Sequence, residues 1–351
     1  MTNSIANLAT TPKKEVRKVL FIGDPHLKIN RFELSTKFLT WVTEAIIKTK
    51  PDLVVNLGDT FDTHAVLRSE VIGEFMKHVD IVLEAGIPYV YLLGNHDMFK
   101  PNDSTYHALR HLKGKIPNFY IVDEDTDLFG MSFVPYKPKE EMFPTRTLPI
   151  CVAHQTFKGA DYGDIVMQKG VDSEAVSADI IISGHVHKKQ VLGKVVYPGS
   201  PFSQGVKDIN QVKGLLVLNT ETLDQTFIEC PLPKWRGITC EIGPSFSVED
   251  LHATLGTELT STDHWFVDVT GPKAEIDGYF DSKQWKAIST GIDVKKRANY
   301  TDKEKKQIKL KARSMDSIIS EYFAKIYSGS LDKTTLTKRA LDVLLKVRQG
   351  K

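Results

Sequence analysis

In "GDPHLKIN", Asp24 and His26 stand two residues apart, directly after the apolar run "KVLFI". The pattern recurs. "LVVNLGDTFD" sets Asp59 and Asp62 after a second apolar run, and "YVYLLGNHD" sets Asn95, His96 and Asp97 after a third. "PICVAH" closes on His154, and "DIIISGHVH" closes on His185 and His187. Carboxylate, amide and imidazole groups together offer oxygen and nitrogen donors to divalent cations. Such a mixed set suits Mn²⁺ best, with Fe²⁺ or Zn²⁺ as alternatives, and suits Mg²⁺ or Ca²⁺ less, because those prefer all-oxygen shells. With no cysteine among the donors, a structural zinc site is disfavoured. Singly, each motif has a plainer reading: Asp after Gly at a strand end is an ordinary turn or cap, and a lone His154 is a satisfied core histidine. All five in one order are hard to reconcile with chance. Two cations would need one carboxylate able to bridge them.

Donors spread over more than 160 residues must be gathered by the fold. "KVLFIG", "DLVVNLG" and "IPYVYLLG" are short continuous apolar runs, as in strands buried on both faces. Residues 31–49 carry Phe32, Leu34, Phe38, Trp41, Val42, Ala45 and Ile46 at near-helical spacing, and residues 67–85 predict a second helix. This βαβαβ rhythm places the carboxyl ends of parallel strands along one edge, where α/β sheets bind ligands. After about residue 115 short strands follow with little helix between them, from "NFYIV" to "QTFIEC", and predict a second, mostly antiparallel sheet packed on the first. "CPLPKW" reads as a linker. Beyond it "SVEDLHATL" predicts a helix, "HWFVDVTG" a strand and "QWKAISTGI" a further strand, together a small α+β module. Thr301 with Glu304 forms a capping-box pattern opening a helix to about residue 326. Residues 332–348 predict a last helix with Leu336, Ala340, Leu344 and Val347 along one face. The expected division is a polar leader (1–16), a main domain (17–230), the small module (231–295) and a basic segment with C-terminal helices (296–351).

Composition narrows the classes. The chain has 351 residues, 41% of them hydrophobic and 26% charged, which is ordinary for a soluble globular protein. A net charge of +2 gives no global field favouring nucleic acid, so such a partner must be argued locally. Residues 295–313 hold nine Lys/Arg against two acidic residues, a candidate phosphate-contacting segment or a solvated face. Cys151, Cys230 and Cys240 are odd in number and widely spaced, which fits reduced thiols in a cytoplasm. The N-terminal residues lack the apolar core of a secretory signal, and no apolar run reaches the ~18–20 residues needed to span a bilayer. No membrane association is expected. A G-x-x-x-x-G-K-[ST] loop is absent from the sequence, so ATP is not bound by that route.

The five motifs, in order, resemble the calcineurin-like binuclear metallophosphoesterases over roughly residues 18–230. The resemblance implies a two-sheet metallophosphoesterase sandwich flanked by helices (α/β, α+β). It implies that Asp24, His26 and His187 hold one divalent cation, that Asn95, His154 and His185 hold a second, and that Asp59 bridges them. A two-cation site activates water in line with phosphorus. The leaving oxygen then needs a proton, for which His96 is the candidate general acid. Asp97 or Asp62 would orient it or a ligand histidine, with a helix cap as the alternative for Asp97. Leu27, Thr63-His64 and Asp97 depart from the protein Ser/Thr phosphatase pattern. "GDTFD", "GNHD", "HQTFKG", "GHVHKKQ" and "YPGSPFSQG" instead resemble the Mre11/SbcD DNA-repair nucleases in a compact, phage-like form. That likeness implies a metal-dependent DNA exo/endonuclease with a C-terminal capping domain, working with a Rad50/SbcC-type coiled-coil ATPase. It also implies a homodimer formed through the helices at 31–49 and 67–85. The last helix is the candidate grip on the ATPase, and His64 a candidate substrate contact. Two other readings stay open: a stand-alone phosphodiesterase acting on nucleotides or small phosphodiesters, and a non-enzymatic scaffold.

Overall fold

A computed structural model describes residues 15–62, 64, 67–100, 103–301, 319–320, 322–326 and 332–348. The chain opens with β1 (Lys18–Ile22), α1 (Phe32–Thr49), β2 (Leu53–Asn56), α2 (Ser69–Glu84) and β3 (Tyr89–Leu92). A small hairpin, β4 (Met98–Lys100) and β5 (Asp103–His107), precedes β6 (Phe119–Val122). Then come β7 (Thr126–Leu128), β8 (Met131–Val134), β9 (Ile150–His154), β10 (Ile180–Gly184), β11 (Gln190–Leu192), β12 (Val195–Tyr197), β13 (Gly214–Asn219) and β14 (Gln225–Glu229).

Two six-stranded sheets result, ordered β14-β13-β1-β2-β3-β6 and β11-β12-β10-β9-β8-β7. Side chains alternate across β1 as the pleat requires. Val19 and Phe21 face the second sheet, where they pack with Phe133, Val152 and Ile182. Leu20 and Ile22 face outward against Phe38, Val42, Val79 and Phe75 of α1 and α2. Because both faces are covered, the strands read as continuous apolar runs in the sequence.

Several expectations are corrected. The second sheet is not mostly antiparallel: β8, β9, β10 and β12 run parallel, and only β7 and β11 at its edges are antiparallel. Parallel neighbours need a crossover, usually a helix. Here the crossovers at 135–149 and 155–179 are irregular segments that place Phe143, Phe157, Val171 and Val176 over the outer face of the sheet. With no helical period to mark it, the parallel order was hidden. β6, β13 and β14 belong to the first sheet, where β13 returns antiparallel beside β1. "QVLGKVVYP" is a hairpin, turning at Gly193 with φ +55°.

Beyond residue 230 a separate apolar cluster forms. It is built from β15 (Trp235–Glu241), α3 (Val248–Glu258), β16 (His264–Gly271), α4 (Lys273–Asp281), α5 (Lys283–Ser289) and β17 (Asp293–Tyr300). Its three strands are all parallel, and "QWKAIS" is the helix α5 rather than a strand. The Ser282 side chain caps α5, and Trp285 on that helix packs into the cluster, so helical burial outweighs the strand-like composition. A last helix, α6 (Lys333–Arg348), packs on a π-helical turn at Tyr322–Ile326. Of the basic segment 295–313, Lys295, Lys296 and Arg297 lie on β17, while the rest of it from residue 302, and with it the Thr301–Glu304 pattern beyond Thr301, falls outside the described residues.

Candidate metal centre

The ends of β1, β2 and β3 meet the ends of β9 and β10 at one rim of the sandwich. The donors therefore come from both sheets rather than from one edge. His26 Nε2 lies 2.9 Å from His187 Nε2. His154 Nε2 lies 3.1 Å from Asn95 Oδ1 and 3.3 Å from His185 Nδ1. Asp59 Oδ2 stands between these groups, 3.7 Å from His26 Nε2 and 3.4 Å from His154 Nε2. His26, Asp59 and His96 bring candidate ligand atoms within 4.8 Å of one another, and so do Asp59, His154 and His185.

Local backbone geometry aims these side chains. His26, Asp59 and His185 have φ of +44°, +47° and +79°, the left-handed region that few non-glycine residues occupy. Such strain collects at functional sites. Glycines before the motifs permit close approach. A Cβ on Gly184 would fall 2.7 Å from the Leu57 carbonyl and 2.9 Å from His154 Nδ1. One on Gly94 would fall on the backbone and carboxylate of Asp59.

The donors are oriented from behind. His154 Nδ1 donates to the Leu57 carbonyl at 2.7 Å, which turns Nε2 toward Asp59. His185 N donates to Asp24 Oδ1 at 2.8 Å. Asp62 stands 3.4 Å from His26 Nδ1 and 3.0 Å from Lys28 Nζ. His96 N donates to Asp59 Oδ1 at 2.7 Å, and its Nδ1 to the Asp62 carbonyl at 3.3 Å, leaving Nε2 for a reacting group. His64 stacks on the His96 ring with centroids 4.4 Å apart. Asp97 is placed elsewhere: its buried carboxylate accepts from Phe61 N at 3.2 Å and Gly94 N at 3.0 Å and interacts with Tyr91. It braces the second and third motif loops against each other, and β4 follows it, not a helix.

The electrostatics are those of a charged cluster shut away from water. Burial pushes the Asp24 carboxyl up, and the Asp59 charge adds to this. Asp59 goes the other way: burial opposes its ionisation, but His154 and His26 outweigh burial and hold it well below the carboxylate range. Burial likewise opposes charge on His154, yet Asp59 and Asp24 push it up to about 9. Burial, with a cationic histidine nearby, holds His185 and His187 down to about 3. Burial pushes Asp97 up to about 7 with help from Asp59. For Asp62 burial opposes ionisation, but His26 and Lys28 bring it to about 2. Asp24 Oδ2 is buried with no hydrogen-bond partner among the described residues. An orphan carboxylate oxygen costs free energy unless something cationic meets it. The orphan oxygen and the hard-oxygen and imidazole donors together fit divalent cations.

Residues 17–189 match the family model for calcineurin-like phosphoesterases. The chain carries a calcineurin-like metallophosphoesterase domain. It is a hydrolase of the metal-dependent phosphoesterase class. The 078R protein of Invertebrate iridescent virus 3, named as a phosphoesterase, is 29% identical over 236 residues, covering 62% of this chain and 67% of that protein. Exonuclease subunit 1 of Enterobacteria phage T4 is 25% identical over 232 residues, covering 60% and 67%. The DNA double-strand break repair protein Mre11 of Nanoarchaeum equitans is 23% identical over 241 residues, covering 57% and 66%.

Some residues beside the metallophosphoesterase cleft gave no signal in the sequence. Tyr136, on the loop after β8, places its ring 5.5 Å from that of His185. Tyr162 lies 6.4 Å from the same ring. A cavity of about 480 Å³ opens on this side, lined by Tyr162, His185, His187, Lys188, Gln204 and Lys207. Tyr136 and Tyr162, isolated in loops, carry no pattern, so only the fold reveals them; Gln204 and Lys207 fall in the Tyr197–Lys207 stretch that the sequence offers as a groove lining. No helix among the described residues is long and apolar enough to cross a membrane.

Proposed function

We propose that this protein is a metal-dependent DNA nuclease, the catalytic subunit of an end-processing complex of the Mre11–Rad50/SbcCD kind. The carrying observation is the pair of donor groups sharing the Asp59 carboxylate. Asp24, His26 and His187 would hold one divalent cation and Asn95, His154 and His185 the other. When bound, two such cations activate water and offset charge on the phosphoryl oxygens. His96, with Nδ1 committed to the Asp62 carbonyl, presents Nε2 to protonate the leaving oxygen. Asp62 orients both His26 and His96, and Asp97 keeps the two motif loops together. His64, stacked on His96, is placed to limit how substrate approaches that ring.

Relatives named as a DNA repair protein, an exonuclease subunit and a subunit of nuclease SbcCD support DNA as substrate and a partner subunit, which the Mre11/SbcD resemblance implies is a coiled-coil ATPase. On α6, Leu336, Ala340 and Leu344 along one face are only partly covered, which supports that helix as the partner's grip. Ile47 and Ile81, exposed on α1 and α2, support a homodimer through those helices. A cytoplasmic setting and Mn²⁺ complete the reading. The 078R name specifies only a phosphoesterase, which keeps a stand-alone phosphodiesterase as the second reading.

Digestion of end-labelled single- and double-stranded DNA with Mn²⁺ tests this. Cleavage that vanishes in His96→Ala, while the cations are retained, supports the nuclease. Hydrolysis of bis-p-nitrophenyl phosphate with every DNA spared supports the second reading.

A further inference from the structure

Lys213 is almost fully buried, just before β13, in a position a strand residue of any apolar kind could fill. Its ammonium donates to the His187 carbonyl at 2.8 Å, Ser200 Oγ at 2.7 Å and Gln211 Oε1 at 3.0 Å. It also pairs with the buried Asp208 at 2.7 Å. Asp208 Oδ2 accepts from Gln204 N at 2.7 Å. The Gln204 side-chain amide then donates to the carbonyls of Asp24 at 2.9 Å and Pro25 at 3.1 Å.

The chain of bonds thus begins on the backbone of His187, beyond β10 in the second sheet, and ends on the backbone of Asp24 and Pro25, beyond β1 in the first. No hydrogen bond of Lys213, Asp208 or Gln204 reaches Asn95, His154 or His185. Taking an ammonium and a carboxylate out of water is costly, and a well-packed apolar pair would serve stability as well or better. What the ionic pair supplies, and an apolar pair cannot, is directed hydrogen bonding to backbone carbonyls next to candidate ligands.

We propose that Lys213, Asp208 and Gln204 form a positioning bracket that sets the distance between the Asp24–His26 turn and His187, and so governs one of the two cation positions selectively. This rests on the two-cation reading above. The bracket residues touch no reacting atoms. They act through the main chain of the residues that do.

The test is Mn²⁺ binding followed by calorimetry and by electron paramagnetic resonance, on the whole chain, with folding checked by circular dichroism. Lys213→Met alone would strand the buried Asp208 charge, so it is combined with Asp208→Asn. Gln204→Leu, at a half-buried neutral position, is the second variant and keeps the test open should the double variant not fold. Wild type is expected to bind two equivalents and give an exchange-coupled spectrum. The variants are expected to keep one tight equivalent, bind the other at least ~10-fold more weakly, and show an uncoupled six-line spectrum, in the range seen when groups behind metal ligands are removed. A folded variant with two equivalents, wild-type affinity and a coupled spectrum overturns the bracket, even if its melting temperature has fallen. Wild type that itself binds fewer than two equivalents overturns the two-cation reading, and the bracket with it.

Discussion

The metal cleft and the sheet of the small C-terminal module are both dense in charge, but they balance it differently. In the module Asp268 meets Arg297 across β16 and β17 and accepts from Asn299 Nδ2 at 2.7 Å. His264 Nδ1 sits 2.7 Å from Asp293, and the Lys295 ammonium lies 4.8 Å over the Trp235 ring. Every one of these groups finds its complement in the same chain. In the cleft the imidazoles of His26, His154, His185 and His187 crowd Asp24 and Asp59, two of these histidines are held at about 3, and Asp24 Oδ2 has no hydrogen-bond partner among the described residues. A cluster that closes on itself supports the fold. One that cannot is completed by something from outside.

The comparison can be broken at several points. The largest effect is expected from Asp59→Asn, which removes the charge both donor groups share. Coupled binding of two Mn²⁺ should disappear, and phosphodiesterase activity should fall beyond the ~10²–10⁴-fold range of a proton-transfer residue. His96→Ala should stay within that ~10²–10⁴-fold range and keep both cations by calorimetry. If it lost one, His96 would be a ligand rather than an acid. Asp62→Ala should cost ~10–100-fold in cation affinity or turnover through His26.

His78 separates acid lability of the fold from loss of cations. It lies between α1 and α2, bonded to Thr43, and burial alone holds it at about 3. From pH 6.5 down toward 3 the unfolded chain binds a proton that the folded chain refuses, so stability falls with pH, by at most ~1.4 kcal/mol per unit. Above 6.5 His78 adds no slope. His78→Leu should flatten this part of the curve in urea melts at pH 7, 5 and 4. The smallest effect belongs to the module: Asp268→Ala should lower the melting temperature by only about a few degrees and leave Mn²⁺ titrations unchanged.

Much of the cleft was legible because it obeys simple rules. Apolar runs announced buried strands, and Asp, Asn or His after each run announced a rim of donors. That rule marks ten residues; the family resemblance implies Asp24, His26, Asp59, Asn95, His154, His185 and His187 among them as the ligands, and the fold brings all seven together. Less legible was anything whose meaning lies in distance along the chain. Lys213, in "QVKGLL", carries no pattern in the sequence, yet it is buried just before β13, which pairs with β1 in the first sheet. Asp97 reads as a neighbour of His96, but successive residues in that turn point apart, and its carboxylate turns back to the loops. The parallel order of β8, β9 and β10 escaped because its crossovers contain only single 3-10 turns and no α-helix.

The positive φ at His26, Asp59 and His185 bears on how this site could evolve or be redesigned. Aspartate, asparagine and histidine tolerate that backbone far better than other side chains, and β-branched residues hardly tolerate it at all. Aspartate and histidine therefore meet the backbone demand at these three places with less strain than most side chains would. A β-branched side chain at any of these places would add backbone strain to whatever it changed in the donor set. The main chain thus biases which donors sit there most easily before any cation arrives.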